Sequence, residues 1–194
     1  MSKLLNVSSS PHVRCGVSTK NLMYDVAIAM LPATIWGVMQ FGIYSLIVVV
    51  ATVLSCVLSE YLFETLMHKP VTISDGSALV TGMILGLNMP PAIPLWMPIL
   101  GGVFAIIVVK QLYGGLGQNW MNPALAARCF MLISFAQAMT KFTDPVTDAV
   151  ASATPLAAIK AGDTYDLAAM FIGKIPGTIG ETSVIAIVIG AIIL

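Results

Sequence analysis

Thr154 stands before Pro155 in the run SATPLAAIK, which reads as a helix start with Thr at the N-cap and Pro in the first turn. A hydroxyl in that place lies at the positive end of a helix dipole, where free backbone N–H groups favour a phosphate. An ordinary Thr-Pro helix start is the plain alternative. Asp25, Glu60 and Glu64 fall near the ends of apolar segments. There a carboxylate either meets the lipid headgroups or, as an ionisable group at membrane depth, serves a cation path. Lys110 closes another apolar segment and is placed to snorkel to the surface. GGLGQN (114–119) lacks the GK[ST] of a phosphate-binding loop and follows a membrane segment, which argues against nucleotide binding there.

Cys15, Cys56 and Cys129 are odd in number, far apart and without CxxC spacing. They support neither a disulfide framework nor a zinc or iron–sulfur centre, and read as small buried residues. The twelve methionines have no His or Cys cluster beside them, so they read as packing and no metal is expected. His68 beside Lys69 reads as a solvated turn.

The elements that must hold these residues are membrane helices. The chain of 194 residues is 58% hydrophobic and 9% charged, with a mean hydropathy of +0.93, far from the roughly 25% charge of soluble domains. Formal net charge is zero, so no nucleic-acid partner is expected. Apolar segments run over 24–41, 44–63, 77–87, 95–109, 124–138 and from 182 onward. A spanning helix needs about 20 apolar residues, and the third and fifth segments are shorter. The third lies between DGS and NMPP, and the fifth follows GGLGQNWMNP. Interrupted helices survive at membrane depth where protein or a cavity satisfies the freed backbone, so such breaks usually line a site. Local bilayer thinning around a short helix is the bland alternative.

The opening residues, MSKLLNVSSSPHVRCGVSTKN, are polar and basic without an apolar stretch, which predicts a cytoplasmic arm over 1–21 rather than a cleaved signal. With that end inside, Lys3, Arg14, Lys20, Lys69, Lys110 and Arg128 all fall on the cytoplasmic side. Lys141, Lys160 and Lys174 fall in 139–181, a long outer loop that also carries Asp144, Asp148, Asp163 and Asp166. A loop of that length is usually functional. The apolar run from Thr182 to Leu194 has no stop or charged flank, so it reads as the start of a sixth helix in a longer protein.

Asp148 to Thr154, DAVASAT, resembles the flavinylation signal D-x-x-[ST]-G-A-T, departing from it at Ala151 and Ser152. DGSALVTGMILGLNMPP (75–91), KQLYGGLGQNWMNPALAARCF (110–130) and GTIGETS (177–183) follow in family order. Together they resemble a family of membrane flavoproteins. It includes the D subunit of the Rnf ferredoxin:NAD+ oxidoreductase complex and the B subunit of Na+-translocating NADH:quinone reductase. The likeness runs from Ser10 onward, and the short arm with SSSPHVRCGVSTKNLMYDV favours the Rnf D branch.

The resemblance implies an all-α polytopic bundle with interrupted half-helices, the first half of a ten-helix inverted repeat related to urea transporters. Residues 22–138 would form a five-helix membrane repeat. It implies FMN joined by a phosphoester to Thr154 on the outer face of the inner membrane. Asp148 and Ser152 would lie in the sequence read by a Mg2+-dependent flavin transferase. It implies a second, non-covalent flavin (riboflavin or FMN) in the membrane region, for which Asn119, Asn122 and Arg128 are the candidate contacts; for Lys110, contact with a flavin or a partner subunit is the alternative to snorkelling. The tethered flavin needs donors toward its N1 and O2, and Thr182, Ser183 and Lys160 are candidates among which the sequence does not choose. The implied partners are the flavin-bearing G subunit, the A and E membrane subunits, and the C and B subunits. The implied activity is electron transfer coupled to Na+ or H+ movement, without a catalytic side chain of the chain's own. A solute channel and a scaffold subunit are the rival readings, the first because broken helices also build pores.

Overall fold

The computed structural model describes Gly16, residues 18–143, Val150–Ala151, Pro155–Lys160 and 167–194. Helices dominate: α1 (Thr19–Ala29), α2 (Leu31–Phe41), α3 (Ile43–Leu66), α4 (Ser77–Leu87), α5 (Trp96–Val103), α6 (Pro123–Ser134), α7 (Ala136–Met139), α8 (Pro155–Lys160), α9 (Leu167–Ile172) and α10 (Val184–Ile193). One two-residue antiparallel ladder, β1 (Phe142–Thr143) with β2 (Val150–Ala151), accompanies the helices among the described residues, and the fold is helical as the sequence predicts.

Residues 19–41 and 43–66 form two helical stretches long and apolar enough to cross a bilayer. The first is interrupted at Met30, the residue before Leu31-Pro32, where proline withdraws a backbone donor. Ser18 caps its beginning by accepting from Asn21 N. Gly42, at φ +83°, makes the tight turn into α3 that a side chain would strain. Leu22, Ile28, Ile35, Met39, Leu54, Leu58 and Ile192 stand exposed on these helices and on α10. So large an apolar exterior is suited to lipid and would aggregate in water.

The centre of the fold is α3 against α4. A Cβ added at Gly82 would lie 2.6 Å from Val53 Cα, and one at Gly86 3.0 Å from Val49 Cα. The two glycines, four residues apart on one helix face, therefore let the backbones approach closely, as small residues do in membrane helix pairs. Val48, Leu85, Met89, Ile93, Met131 and Ile179 fill the core around this contact.

Both short segments are bounded where the sequence predicts, α4 by Gly76 and the NMPP run and α6 by the GGLGQNWMNP run before it. α4 covers 77–87, preceded by a 3-10 turn (Ile73–Asp75) and Gly76 at φ +78°. The segment over 124–138 breaks at Phe135 into α6 and α7. The fourth segment holds a feature the sequence does not signal: α5 continues as a π-helix over Phe104–Gln111. Ser55 Oγ donates to Ile99 O at 2.7 Å and Cys56 Sγ to Gly102 O at 3.8 Å, so α3 side chains satisfy carbonyls ahead of that widening.

Candidate functional site

The π-helix brings two successive side chains, Lys110 and Gln111, to one face, because its wider turn separates neighbours by a smaller angle. Lys110 Nζ donates to Glu60 Oε1 at 2.6 Å and to Ser77 Oγ at 2.6 Å. Gln111 Nε2 donates to the same Glu60 oxygen at 2.8 Å and to Glu64 Oε1 at 3.2 Å. Glu64 also accepts from Thr72 N at 3.0 Å and from the Thr72 hydroxyl. Asp75 Oδ1 accepts from Ser77 N at 2.8 Å and Ser77 Oγ at 2.6 Å, closing the turn that starts α4.

This network corrects three expectations. Lys110 does not snorkel: its side chain is 2% exposed, paired with a Glu60 that is 0% exposed. Glu60 and Glu64 do not meet headgroups but are buried between α3, α4 and the π-helix. Lys110 offsets the Glu60 charge, Glu64 is held by hydrogen bonds from Gln111 and Thr72, and Glu60 Oε2 is buried without a partner among the described residues. Asp25 is exposed on α1. Cys56 is buried as expected, whereas Cys129 is exposed and Cys15 lies outside the described residues. His68 sits in an exposed turn at φ 53°.

Two hollows flank the network. A polar cleft of about 330 Å³ is lined by Glu64, Lys69, Thr72, Asp75 and Gln111, together with Gly114 and Gly115. An inner cavity of about 210 Å³ is lined by Met23, Ser77, Ile84, Lys110, Asn119 and Asn122. Asn122 caps α6, its Oδ1 accepting from Ala124 N at 3.0 Å and leaving its amide nitrogen as a donor. Asn119 Nδ2 donates to Met121 O at 2.9 Å and keeps its oxygen as an acceptor. Asn122 also borders a wider apolar cleft of about 470 Å³ with Phe104, Tyr113, Trp120 and Cys129. That volume is within the range of small-molecule sites, roughly 300–1,000 Å³.

Arg128 does not join Asn119 and Asn122. It lies further along α6, where its Nη1 donates to Asn88 Oδ1 and its Nη2 stands 3.9 Å from Glu181 Oε2. Thr178 Oγ1 donates to the same Glu181 oxygen at 2.6 Å. The backbone joins this corner: Gly180 N donates to Leu87 O at 2.8 Å and Ile179 N to Met89 O at 3.1 Å. The GTIGE segment thus docks on the broken end of α4 and gives its last carbonyls donors that water would otherwise supply.

Thr154, Asp148 and Ser152 lie outside the described residues. α8 begins at Pro155, where the Thr-Pro pair predicts a helix start. Ser183 caps α10, accepting from Ala186 N at 3.3 Å, and the Thr182 hydroxyl is buried without a partner among the described residues. Lys160 closes α8 and is exposed. Among the described residues no group of three or more His, Cys, Asp or Glu is arranged to hold a metal.

Residues 6–194 match the model of the NQR2, RnfD, RnfE family. The chain belongs to that family. Among its NQR2/RnfD/RnfE relatives is the D subunit of the Na+-translocating ferredoxin:NAD+ oxidoreductase complex of Acetobacterium woodii, 46% identical over 98% of this chain and 62% of the relative. The D subunit of the proton-translocating ferredoxin:NAD+ oxidoreductase complex of Clostridium ljungdahlii is 40% identical over the same shares. The D subunit of an ion-translocating oxidoreductase complex of Rhodobacter capsulatus is 31% identical over 96% of the chain. The chain thus spans about six-tenths of the length of the curated relatives it matches. The buried Lys110–Glu60 pair is the feature that sequence reading placed at the membrane surface. Its available signal was a Lys and a Gln at the end of an apolar segment, with two Glu one turn apart on another.

Proposed function

We propose that the protein is the D subunit of an ion-translocating ferredoxin:NAD+ oxidoreductase of the Rnf type, carrying FMN as a phosphoester on Thr154. The observation that carries this reading is the 46% identity to a relative of that name across 98% of the chain, joined to the DAVASAT run before a helix that starts at Pro155. In this reading the whole protein has ten membrane helices in two inverted halves, with the FMN loop on the outer face of the inner membrane. It works beside the G, A, E, C and B subunits and moves Na+ or H+. The broken α4 and the docked GTIGE segment support the interrupted-helix architecture.

A flavin supplies the one- and two-electron chemistry, and the chain supplies placement and charge. Thr154 tethers and takes no part as a nucleophile in turnover. The inner cavity and the aromatic cleft are the best-suited place for the second, non-covalent flavin. Asn119 and Asn122 offer amide groups, and Phe104, Tyr113 and Trp120 offer apolar walls. Arg128 stands apart from that flavin place, tied to Asn88 and beside Glu181 of the GTIGE segment.

The test is co-expression with a flavin transferase followed by a denaturing gel under ultraviolet light. A fluorescent band that disappears in Thr154→Val supports the assignment. A dark wild-type band of unmodified mass defeats it.

A further inference from the structure

The polar cleft is walled by groups whose donors are already spent. Gln111 lines it, is 3% exposed, and turns its amide nitrogen to Glu60 Oε1 and Glu64 Oε1. The other end of a side-chain amide is an acceptor, and Gln111 Oε1 has no partner among the described residues. That oxygen is therefore what this buried side chain presents to the cleft. Asp75 takes Ser77 N and Ser77 Oγ on Oδ1 alone, which leaves Oδ2 without a partner among the described residues. Thr72 turns both its N–H and its hydroxyl to Glu64, whose Oε2 accepts from Thr72 N and keeps a lone pair. Lys69, the cationic side chain lining the cleft, is drawn to the Phe63 ring, with Nζ 5.2 Å from its centroid.

Charge points the same way as hydrogen bonding. Among the groups that line the cleft and those bonded to them, the ionised carboxylates Glu60, Glu64 and Asp75 stand against the ammonium groups of Lys69 and Lys110. One negative charge is left over, and Glu60 Oε2, buried without a partner among the described residues, shows that the network itself does not absorb it. Surplus charge in a membrane bundle is costly unless an ion or partner offsets it. We propose that the polar cleft binds a single sodium ion, held by Asp75 Oδ2, Gln111 Oε1 and the remaining lone pair of Glu64 Oε2, with water completing the shell.

Ligands that are all oxygen select a hard cation. A single surplus charge suits a monovalent one, and among the described residues no group of three or more acids is arranged to satisfy a dehydrated divalent ion. The cleft, of about 330 Å³, has room for the ion together with part of its water. The choice of sodium among monovalent ions rests on reading the chain as part of an ion-translocating oxidoreductase.

The test is a sodium chloride titration of the full-length subunit at mildly alkaline pH, where protons compete least, with choline chloride holding the ionic strength constant. Calorimetry and sodium NMR relaxation read the binding, which is expected to saturate in the wild type. Asp75→Asn keeps an oxygen for the Ser77 contacts but turns an amide donor toward the ion, so affinity should fall on the order of 10-fold or more. Lys69→Glu, at an exposed position, should tighten binding severalfold and decides the matter even if Asp75→Asn does not fold. Wild type without saturable sodium binding, or unchanged affinity in either variant, overturns the site. Calcium or magnesium bound in place of sodium overturns the monovalent assignment. A subunit that shows the Thr154 flavin band and binds no sodium loses the site alone, whereas a dark band with sodium still bound defeats the functional reading and leaves the site standing.

Discussion

Lys110 and Glu60, fifty positions apart in sequence, meet at 2.6 Å inside a membrane-type bundle with almost no exposed surface on either side chain. Removing one partner leaves the other charged and dry, a change that costs about 3–5 kcal/mol. Lys110→Met should therefore lower the thermal stability of the purified subunit sharply, and Lys110→Met with Glu60→Gln should recover much of the loss. A Lys110→Met subunit as stable as wild type would mean that the pair carries no such burden.

Gly82 offers a purely steric counterpart. A methyl at this position meets the Val53 backbone, so Gly82→Ala should cost about 1–3 kcal/mol by forcing α3 and α4 apart. Gly115, whose added Cβ meets nothing but whose φ is +98°, is a control for backbone strain without crowding. Denaturation in mild detergent compares the two.

Arg128→Ala should loosen the corner where GTIGE meets the end of α4. The loss of the Asn88 contact and the half-exposed Glu181 pair is worth about 1 kcal/mol, which corresponds to roughly fivefold faster exchange. Amide hydrogen exchange at Ile179 and Gly180 is the measurement, since those protons sit in the backbone bridges to Met89 and Leu87. Unchanged protection would show that the backbone bridges hold without the arginine.

Asp148→Ala should reduce the share of subunits carrying FMN when the transferase is limiting, while Ser152→Gly, which moves toward the usual signal, should raise it. Intact mass of the subunit counts the modified fraction directly. Equal fractions in all three proteins would separate attachment from the resemblance that suggested it.

Much of the architecture is legible in the sequence because its signals are local. Gly76 and the NMPP run bound α4 at the predicted residues, since a left-handed glycine and two prolines act on their immediate neighbours. The reading of 24–41 as one segment passes over the interruption at Met30, although Pro32 marks it locally, whereas the break at Phe135 has no such mark, because an apolar run continues through it. The π-helix is invisible for a related reason: it arises where α3 side chains reach α5 carbonyls, a tertiary effect without a composition mark. That hidden widening turns Lys110 inward, where a regular helix end would have sent it toward the surface. Asn119 and Asn122 do face one cavity, while Arg128 at the next turns of α6 belongs to another corner.

The bridges from Ile179 and Gly180 to Met89 and Leu87 impose an order on biogenesis. α4 leaves the ribosome long before its carbonyls can find those amides, so its truncated end must wait, hydrated or chaperoned by the insertion machinery, until the GTIGE segment arrives. Slow translation or a stalled chain between the two would leave a half-threaded intermediate, recognisable to quality-control proteases by an unclosed end at membrane depth.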